Sequence, residues 1–373
     1  MIDKPKIITI LGTRPELIKL SQIIKELDKA SNHFLAHTGQ NFDYELNEIF
    51  YKDLSIRKPD FFFNSFANSA IKTISNILVS TEKLFKKITP DALIIYGDTN
   101  SCLSSYVAKK MHIPIFHLEA GNRSFDQNIP EETNRKLVDH LSDINMPLTS
   151  HARDYLLKEG IRGDSIIKIG SCMKEIILKN QKKINNSKIL NKLKLSKNKF
   201  FVASIHREEN VEKISNIKMI LNNLNYVSEN FNIPIILSTH PRTQKKIEKL
   251  KLKEKFKNIK FIKPLGFTDY ISLQSKSLCV ISDSGTIAEE SSIIGFPAIM
   301  MRLNHERPEA FDQGVLVKSF GNKDNLVNSI NYVVNTNPTS SKLIVNDYNE
   351  LSVSIKVVRN ILSYIDNVKS KYN

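Results

Sequence analysis

The chain has 373 residues, 41% of them hydrophobic and 25% charged, which is typical of a globular protein and long enough for two domains of roughly 150 residues. No apolar run approaches the ~18 residues that a membrane span needs, and the opening MIDKPKIITILG lacks the basic and long apolar regions of an export signal. The net charge of +15 favours anionic ligands, but the lysines are mixed with Asn and Glu and no nucleic-acid motif is present, so we expect neither a nucleic-acid nor a membrane partner.

Short apolar runs rich in β-branched residues alternate with helical patterns along the first half of the chain. PELIKLSQIIKEL (15–27) carries apolar side chains at helical spacing, and a second helix runs through SSYVAKKM. The predicted strands of this half are KIITILG (6–12), HFLAHTG (33–39), DALIIYGD (91–98), IPIFHLEAG (113–121) and SIIKIGS (165–171). Strands that alternate with helices predict a parallel sheet covered by helices.

The same alternation resumes in the second half. Its predicted strands are KFFVASIH (199–206), IPIILSTH (233–240), IKFIKPL (259–265), SLCVISD (277–283), PAIMM (297–301) and GVLVKSF (314–320). Between the two sets lies a polar stretch at 172–198, which we predict to be helical. The sequence therefore predicts an α/β protein with two doubly wound domains, at 1–171 and 172–351, and a last helix at about 352–373 that could pack back on the first domain.

Polar and charged residues follow several of these strands. Arg14 follows the first strand, Asp98 and Glu119 come at or after the ends of two others, and His206 ends the first strand of the second set. Ligands of open parallel sheets bind at the carboxyl ends of the strands. Two such domains facing each other would form one deep cleft, and these residues would line it.

Two segments between a strand and a helix suit phosphate. GTRPE (12–16) places Arg14 at a helix start, where N–H groups favour an anion, and SDSGTIAEE (282–290) places Ser284, Gly285 and Thr286 at another. Each could be an ordinary turn with a helix cap, but two of them favour a diphosphate. No G-x-G-x-x-G and no Walker A pattern is present, so neither a dinucleotide cofactor nor ordinary ATP chemistry is indicated.

Several carboxylates are candidates for acid–base chemistry. Asp98 and Glu119 end buried strands, where a charge needs a partner or a function. Crowded carboxylates can equip a site with both an acid and a base. Glu131 and Glu132 open a helix after Pro130, so Glu132 could instead cap that helix or lie on a solvated face.

The histidines and cysteines give weaker signals. His206, in SIHREEN, follows a strand and precedes Arg207, which favours stabilisation of a leaving group, whereas His117 is expected to be structural. Three scattered cysteines form no disulfide framework, which is typical of the reducing cytoplasm. No cluster has the spacing of a metal site, so we expect no metal.

Eight motifs, in order GTRPELIKL, HTGQ, GDTNS, HLEAGNR, PEETNRKLVDH, HRE, DSGTIAEE and ERPEA, extend from residue 12 to about residue 310. Together they resemble the non-hydrolysing UDP-N-acetylglucosamine 2-epimerase family. The resemblance implies two Rossmann-like domains in the GT-B-like arrangement, a homodimer, and no nicotinamide or other cofactor. It also implies the reaction: UDP leaves a UDP-N-acetylhexosamine by anti elimination, and the resulting 2-acetamidoglycal takes UDP back with C2 inverted.

The resemblance also implies roles for single residues. Asp98, Glu119 and Glu131 match the family's essential carboxylates, which move the C2 proton and order the sugar. His206 matches the histidine that steadies the departing diphosphate. The matched binding residues are Arg14 and Lys19 as positive charges near the phosphates, Arg135 in the sugar-facing segment, Tyr270 against uracil, Ser284, Gly285 and Thr286 in the phosphate loop, Glu290 at the ribose, and Arg307 in ERPEA.

Some stretches depart from the common pattern. HTGQNFDYEL replaces the Gln-His pattern that many members use in a regulatory UDP-sugar site, so we expect no activation by substrate. GNRSFDQNIPEE and DYELNEIF look closest to a branch that includes UDP-N-acetyl-L-fucosamine synthase, whose members use 6-deoxy sugars and serve surface polysaccharides. The sugar therefore stays open between a UDP-N-acetylhexosamine and its 6-deoxy counterpart.

Three other functions stay open on the sequence. A glycosyltransferase with the same two-domain fold would bind the same nucleotide, although three carboxylates favour proton abstraction at carbon. A hydrolysing 2-epimerase would differ only in its products. A non-catalytic nucleotide-sugar binder would not need these carboxylates and His206.

Overall fold

The computed structural model describes residues 4–40, 44–205, 207–211, 213–239, 241–336 and 343–372. The chain divides into unit 1 (Met1–Lys179 and Asn346–Asn373) and unit 2 (Asn180–Val345). Each unit holds a parallel sheet with helices packed against it. In the described ranges, no helix is both long and apolar enough to span a membrane.

The strands are short and mostly buried, as expected for parallel strands covered on both faces. Those of unit 1 are β1 (Lys6–Leu11), β2 (Asn32–His37), β3 (Phe61–Phe62), β4 (Ala92–Tyr96), β5 (Ile115–Leu118) and β6 (Ile144–Met146). Those of unit 2 are β7 (Phe201–Ser204), β8 (Ile235–Ser238), β9 (Ile259–Ile262), β10 (Val280–Ser282), β11 (Ala298–Met300) and β12 (Val317–Lys318).

The two sheets have the same topology. Their orders are β3-β2-β1-β4-β5-β6 and β12-β11-β10-β7-β8-β9. Numbered from its own first strand, each is the 3-2-1-4-5-6 order of the Rossmann fold, whose ligands bind where the order reverses. That point lies between β1 and β4 in unit 1 and between β7 and β10 in unit 2, so the loops after these strands are the expected ligand sites.

Helices connect the strands and cover the sheets. They are α1 (Arg14–Ala30), α2 (Tyr44–Asp53), α3 (Ala70–Ile88), α4 (Ser104–Lys110), α5 (Pro130–Leu141), α6 (Ser150–Lys158), α7 (Met173–Lys179), α8 (Gln181–Asn185), α9 (Ile189–Leu193), α10 (Glu208–Val211), α11 (Ile214–Phe231), α12 (Pro241–Lys249), α13 (Leu252–Lys255), α14 (Phe267–Gln274), α15 (Ile287–Ile294), α16 (Pro308–Asp312), α17 (Lys323–Thr336) and α18 (Val353–Lys369). Short 3-10 helices span Asn100–Leu103, Gly163–Ser165 and Asn346–Tyr348.

Most of the predicted strands are confirmed, each shorter than its apolar run. The strand predicted at 165–171 is wrong, because Ile166 forms only an isolated bridge there, with Asn145. The last strand of that sheet is β6, and neither β6 nor β3 was predicted from the sequence. Both are too short to show a two-residue period.

The chain divides later than the boundary predicted at residues 171–172. α7 packs on α1, and its Glu175 accepts hydrogen bonds from the backbone N–H and the hydroxyl of Ser354 (2.9 and 2.5 Å), at the start of α18. α18 packs along α1, and its Lys369 forms an ion pair with Asp91. These contacts place α7 and the C-terminal helix in unit 1.

Candidate active site

The predicted carboxylates of unit 1 lie at the carboxyl edge of its sheet. Asp98 follows β4 and Glu119 follows β5, and these neighbouring strands pair as far as Tyr96 and Leu118. Each carboxylate is half-buried and forms an ion pair with a buried cation from a helix. The structure thus places two predicted acid–base residues on adjacent strands.

Lys19 is the partner of Glu119. Its Nζ lies 2.5 Å from Glu119 Oε2 and 5.5 Å from the centre of the Tyr96 ring. The two side chains are 4% and 14% exposed, so water and salt screen the pair little. Glu119 has a φ of 64°, a left-handed conformation that is unfavourable for a residue with a Cβ and is concentrated at functional sites.

Arg135 is the partner of Asp98. Its Nε donates to Asp98 Oδ2 at 2.7 Å, and its NH1 donates to Glu132 Oε2 at 2.8 Å. The neighbouring Asn134 donates from Nδ2 to the backbone carbonyl of Asp98 at 2.9 Å. α5 therefore holds both the backbone and the side chain of Asp98. The sequence predicts Arg135 as a substrate-binding residue, and the structure shows that it also orients this carboxylate.

Glu132 is fully buried, which excludes the solvated position that the sequence left open. Its carboxylate accepts hydrogen bonds from the backbone N–H groups of Ser124 (3.0 Å) and Phe125 (3.2 Å) and from Arg135. Burial alone would raise the pKa of Glu132, but the donors from Ser124 and Arg135 hold that pKa below its usual value. Glu132 joins the loop after β5 to α5, and its three-residue spacing from Arg135 is the signal in the sequence.

Two other predicted residues of unit 1 lie at helix starts. Glu131 is half-buried in the first turn of α5, directly after Pro130. Arg14 is the first residue of α1, and its guanidinium carbon lies 5.9 Å from the centre of the Phe50 ring. Their contacts with a substrate stay predictions.

Glu16 was not among the residues predicted for the site. This buried residue of α1 forms a capping box with Thr13, and it also reaches the loop after β4. The pattern T-x-x-E at 13–16 was the available signal, since a glutamate three residues after the cap closes such a box.

His117 is structural, as predicted. Its Nδ1 and Nε2 both lie at 2.9 Å from an acceptor, the first from Asp139 Oδ1 and the second from the Gly97 carbonyl. His206 lies outside the described residues, so its role at the leaving group stays a prediction. Within the part of the chain that the structure describes, no group of three His, Cys, Asp or Glu side chains could hold a metal ion.

In unit 2, the predicted phosphate loop follows β10, at the point where the strand order reverses. Ser284 Oγ and Thr286 Oγ1 lie 3.0 Å apart, immediately before α15. A Cβ on Gly285 would lie 2.9 Å from Glu306 Oε1, closer than real Cβ contacts. Hydroxyls and a glycine at a helix start are suited to an anion.

Glu290 and Tyr270 are neighbours in unit 2. Glu290 is buried in α15 and accepts a hydrogen bond from Gln274 Nε2 at 2.7 Å. Burial and the Glu290 carboxylate raise the pKa of Tyr270, whose hydroxyl hydrogen-bonds to Ser204 at the end of β7. Tyr270 therefore keeps its proton at neutral pH.

Buried ion pairs surround the phosphate loop. Arg307 immediately precedes α16, and its NH2 lies 3.6 Å from Glu289 Oε2. Glu306 forms ion pairs with Arg207 (2.9 Å) and Arg302 (3.0 Å). Glu306 and Arg302 were not among the predicted site residues. Glu306 begins the ERPEA motif, but neither residue has a local pattern that predicts its burial or its ion pairs.

Comparisons with known proteins identify the family of the chain. The family model described as UDP-N-acetylglucosamine 2-epimerase matches residues 25–362. The UDP-N-acetylglucosamine 2-epimerase of Methanococcus maripaludis is 35% identical over 357 residues, which are 91% of this chain and 97% of that protein.

Solved structures match over nearly the whole chain. The UDP-N-acetylglucosamine 2-epimerase of Rickettsia bellii has a TM-score of 0.91 and 44% identity over 98% of each chain. The enzyme of Methanocaldococcus jannaschii, in complex with UDP-GlcNAc and UDP, has a TM-score of 0.88 and 32% identity over 96% of this chain and 99% of that chain. The chain therefore belongs to the UDP-N-acetylglucosamine 2-epimerase family and is an isomerase, a non-hydrolysing 2-epimerase with two Rossmann-like domains of the GT-B-like class.

Proposed function

We propose that the substrate is a UDP-N-acetylhexosamine and that C2 inverts by elimination and re-addition of UDP. A base takes the C2 proton while the C1–O bond to UDP breaks, which leaves a C1=C2 double bond in a 2-acetamidoglycal. UDP then adds back to C1, and a proton returns to the opposite face of C2. The two steps involve no net oxidation or reduction, so they need no hydride carrier.

The ion pairs Asp98–Arg135 and Glu119–Lys19 carry this proposal. Inversion needs one group that removes a proton from carbon and another that delivers a proton to the other face, each held in position. Two carboxylates on adjacent strands, each oriented by its own cation, are suited to these two tasks. We assign Glu131 to ordering the sugar.

We assign the nucleotide to unit 2. The loop after β10 lies where Rossmann-like sheets bind phosphates, and the M. jannaschii relative is described in complex with UDP. The proposed contacts are Ser284, Gly285 and Thr286 with phosphate, Glu290 with the ribose hydroxyls, Tyr270 with uracil, and Arg14, His206 and Arg307 with the departing diphosphate. Cations at a developing negative charge stabilise the transition state.

UDP-N-acetylglucosamine is the first sugar to test, because the same relative was crystallised with it. A 6-deoxy sugar is the second candidate, since Phe125 presents an apolar ring in the loop after β5. It is 64% exposed, has a φ of 58°, and donates its N–H to buried Glu132. An aromatic side chain on a backbone held in this way would favour a methyl group over a hydroxymethyl group.

We further propose a homodimer that supplies precursors for surface polysaccharides, as the resemblance implies, and a cytoplasmic location, as the scattered cysteines indicate. Ile71 and Val79 lie about two turns apart on α3 and are 77% and 48% exposed, which favours a protein partner on this helix. Light scattering should give the mass of two chains for the wild type and a smaller mass for Ile71→Asp. A wild-type mass of one chain would contradict the dimer.

The test of function is NMR in deuterated water with UDP-N-acetylglucosamine. Deuterium should enter at C2, both epimers should form, and little free UDP should accumulate. Free sugar equal to released UDP would indicate a hydrolysing enzyme, and transfer to an acceptor would indicate a glycosyltransferase. Absence of exchange with this sugar and with its 6-deoxy counterparts would contradict the proposal.

A further inference from the structure

We propose that Glu16 is a positioning residue that joins the loops after β1 and β4 and so sets the geometry of Arg14 and Asp98. The functional part of this inference depends on the function proposed above. The structural part, the joining of the two loops, can be tested independently.

One oxygen of Glu16 holds the loop after β1. Oε2 accepts hydrogen bonds from the backbone N–H groups of Gly12 (2.7 Å) and Thr13 (2.7 Å) and from the Thr13 hydroxyl (3.0 Å). Arg14 comes next in the chain, so this oxygen fixes the turn from which its side chain starts. Two of these donors are backbone amides, which cannot reverse their direction.

The other oxygen holds the loop after β4. Oε1 accepts hydrogen bonds from the hydroxyls of Thr99 (2.8 Å) and Ser101 (2.5 Å). Asp98 directly precedes Thr99. A single carboxylate therefore joins the two loops on either side of the point where the strand order reverses.

A third loop is connected to the same network. Gln40, after β2, donates from Nε2 to Thr99 Oγ1 at 3.0 Å. A Cβ on Gly12 would lie 2.4 Å from Thr38 Oγ1 and 2.8 Å from Gln40 Cδ, so only a glycine allows this close approach. The carboxylate has little freedom, because the loops around it are packed tightly.

Glu16 is not needed merely as a helix cap. It is 3% exposed, and an N-terminal capping box would bring only the donors of the loop after β1. Burial raises the pKa of Glu16, and its hydroxyl and amide donors oppose that rise. A residue that served α1 alone could stay at the surface and avoid this burial, which is unfavourable for a charged group.

The effect on function follows from the geometry. Arg14 and Asp98 are proposed to act on the same substrate, and an error of about 1 Å in position can reduce the rate ~100-fold. Lys19, one turn further along α1, pairs with Glu119, so the same helix also supports the second carboxylate. Loss of Glu16 should impair the proton transfer more than the binding of UDP.

The test compares Glu16→Ala, Glu16→Gln and the control Glu26→Ala. Alanine leaves buried donors without an acceptor, so kcat should fall ~100-fold. Glutamine keeps one acceptor oxygen, and the serine and threonine hydroxyls can turn to accept from its amide, so kcat should fall less, by about 10-fold. Glu26, on the same helix, pairs only with the exposed Lys29 in the described contacts, and its loss should leave kcat unchanged.

Two further measurements separate positioning from general damage. UDP affinity should fall much less than kcat, because unit 2 supplies the proposed contacts with uracil, the ribose and the phosphate loop, and Glu16 positions only Arg14 among the proposed diphosphate contacts. Hydrogen exchange of peptides covering 10–16 and 97–103 should accelerate in Glu16→Ala and not in the control. If the alanine variant does not fold, Glu16→Asp, whose carboxylate is one methylene shorter, should show the same pattern with a smaller fall in kcat.

Unchanged exchange in both loops, or a kcat within about 3-fold of wild type, would overturn the role of Glu16. Equal losses of kcat and UDP affinity would also overturn it, since they would indicate general damage. If the wild type itself fails to exchange the C2 proton, the proposed function is wrong, and hydrogen exchange still decides whether Glu16 joins the loops.

Discussion

The two units share one strand order but differ in the residues that follow their strands. In unit 1, β4 and β5 lead into Asp98 and Glu119, each paired with a buried cation. In unit 2, β10 leads into Ser284, Gly285 and Thr286 at the start of α15. The same topology thus supports groups suited to proton transfer in one unit and to anion binding in the other. The fold positions a ligand site at the carboxyl ends of the strands, and a few residues that follow the strands determine the chemistry of that site.

Removal of one carboxylate of unit 1 should have the largest effect on turnover. It should also distinguish the roles of the two units. Glu119→Gln and Glu131→Gln keep the size of the side chain but lose the carboxylate that moves the C2 proton or orders the sugar, so turnover should fall by about 100-fold or more. The affinity for UDP should change little, because the nucleotide is assigned to unit 2. Turnover is measured by NMR and UDP affinity by calorimetry.

Glu82→Gln is the matched control, because this glutamate lies on the exposed side of α3, where it pairs with Lys86. Its turnover should equal that of the wild type, since exposed pairs contribute little. Near-wild-type turnover in either site variant would contradict the assignment. An equal loss of UDP affinity would remove the functional distinction between the units.

The stability of unit 1 should fall in acid because of His37. Burial lowers the pKa of His37 from 6.5 to about 4. Between these two values the unfolded chain binds a proton that the folded chain does not, so the free energy of unfolding should fall as the pH decreases, by roughly 3 kcal/mol in total. His37→Phe keeps a ring that can stack on Phe62, as His37 does at 5.1 Å, but it cannot titrate.

Denaturant unfolding at several pH values measures this contribution. Between pH 6.5 and pH 4 the wild type should lose more stability than His37→Phe, and hydrogen exchange should show the difference in peptides of unit 1. Identical pH slopes in the two proteins would show that His37 does not cause the loss.

A smaller effect is expected in unit 2 from Gly285→Ala. The added Cβ would lie 2.9 Å from Glu306 Oε1, and Arg207 and Arg302 hold that carboxylate in place. The phosphate loop should shift, and UDP should bind about 10-fold more weakly, which is about 1.4 kcal/mol. Gly163→Ala is the control, because its Cβ would meet Leu157 Cδ2 at an ordinary 3.6 Å. A UDP affinity equal to that of the control would mean that Glu306 moves aside without consequence.

Much of the fold could be predicted because long buried strands have a clear local pattern. The runs around β1, β4 and β7 are apolar and β-branched, and the charges at their ends stand out against them. β3 and β6 could not be predicted, since two or three residues are too few to show a period. The apolar run at 165–171 showed the opposite error: it has the composition of a strand but forms only an isolated bridge to β6.

The candidate site could be predicted only in part. Strand-end carboxylates were identifiable because a charge at the end of a buried strand is unusual. The burial of Glu132 could not be predicted, because an acidic residue in a first helical turn has the same sequence pattern whether it is buried or exposed. Glu16 gave a recognisable capping signal, but its contacts with Thr99 and Ser101 join residues far apart in the chain.

The local order of side chains was enough to derive two parallel sheets, most of their strands and helices, and the charged residues that follow β4 and β5, because spacing and β-branching act within a few neighbours. Packing over long distances decided the rest. Lys19 and Glu119 are 100 residues apart, and α18 packs on the first helix of the chain. No local pattern specifies such partners, since each is chosen by the whole set of buried contacts that the folded chain can satisfy at once.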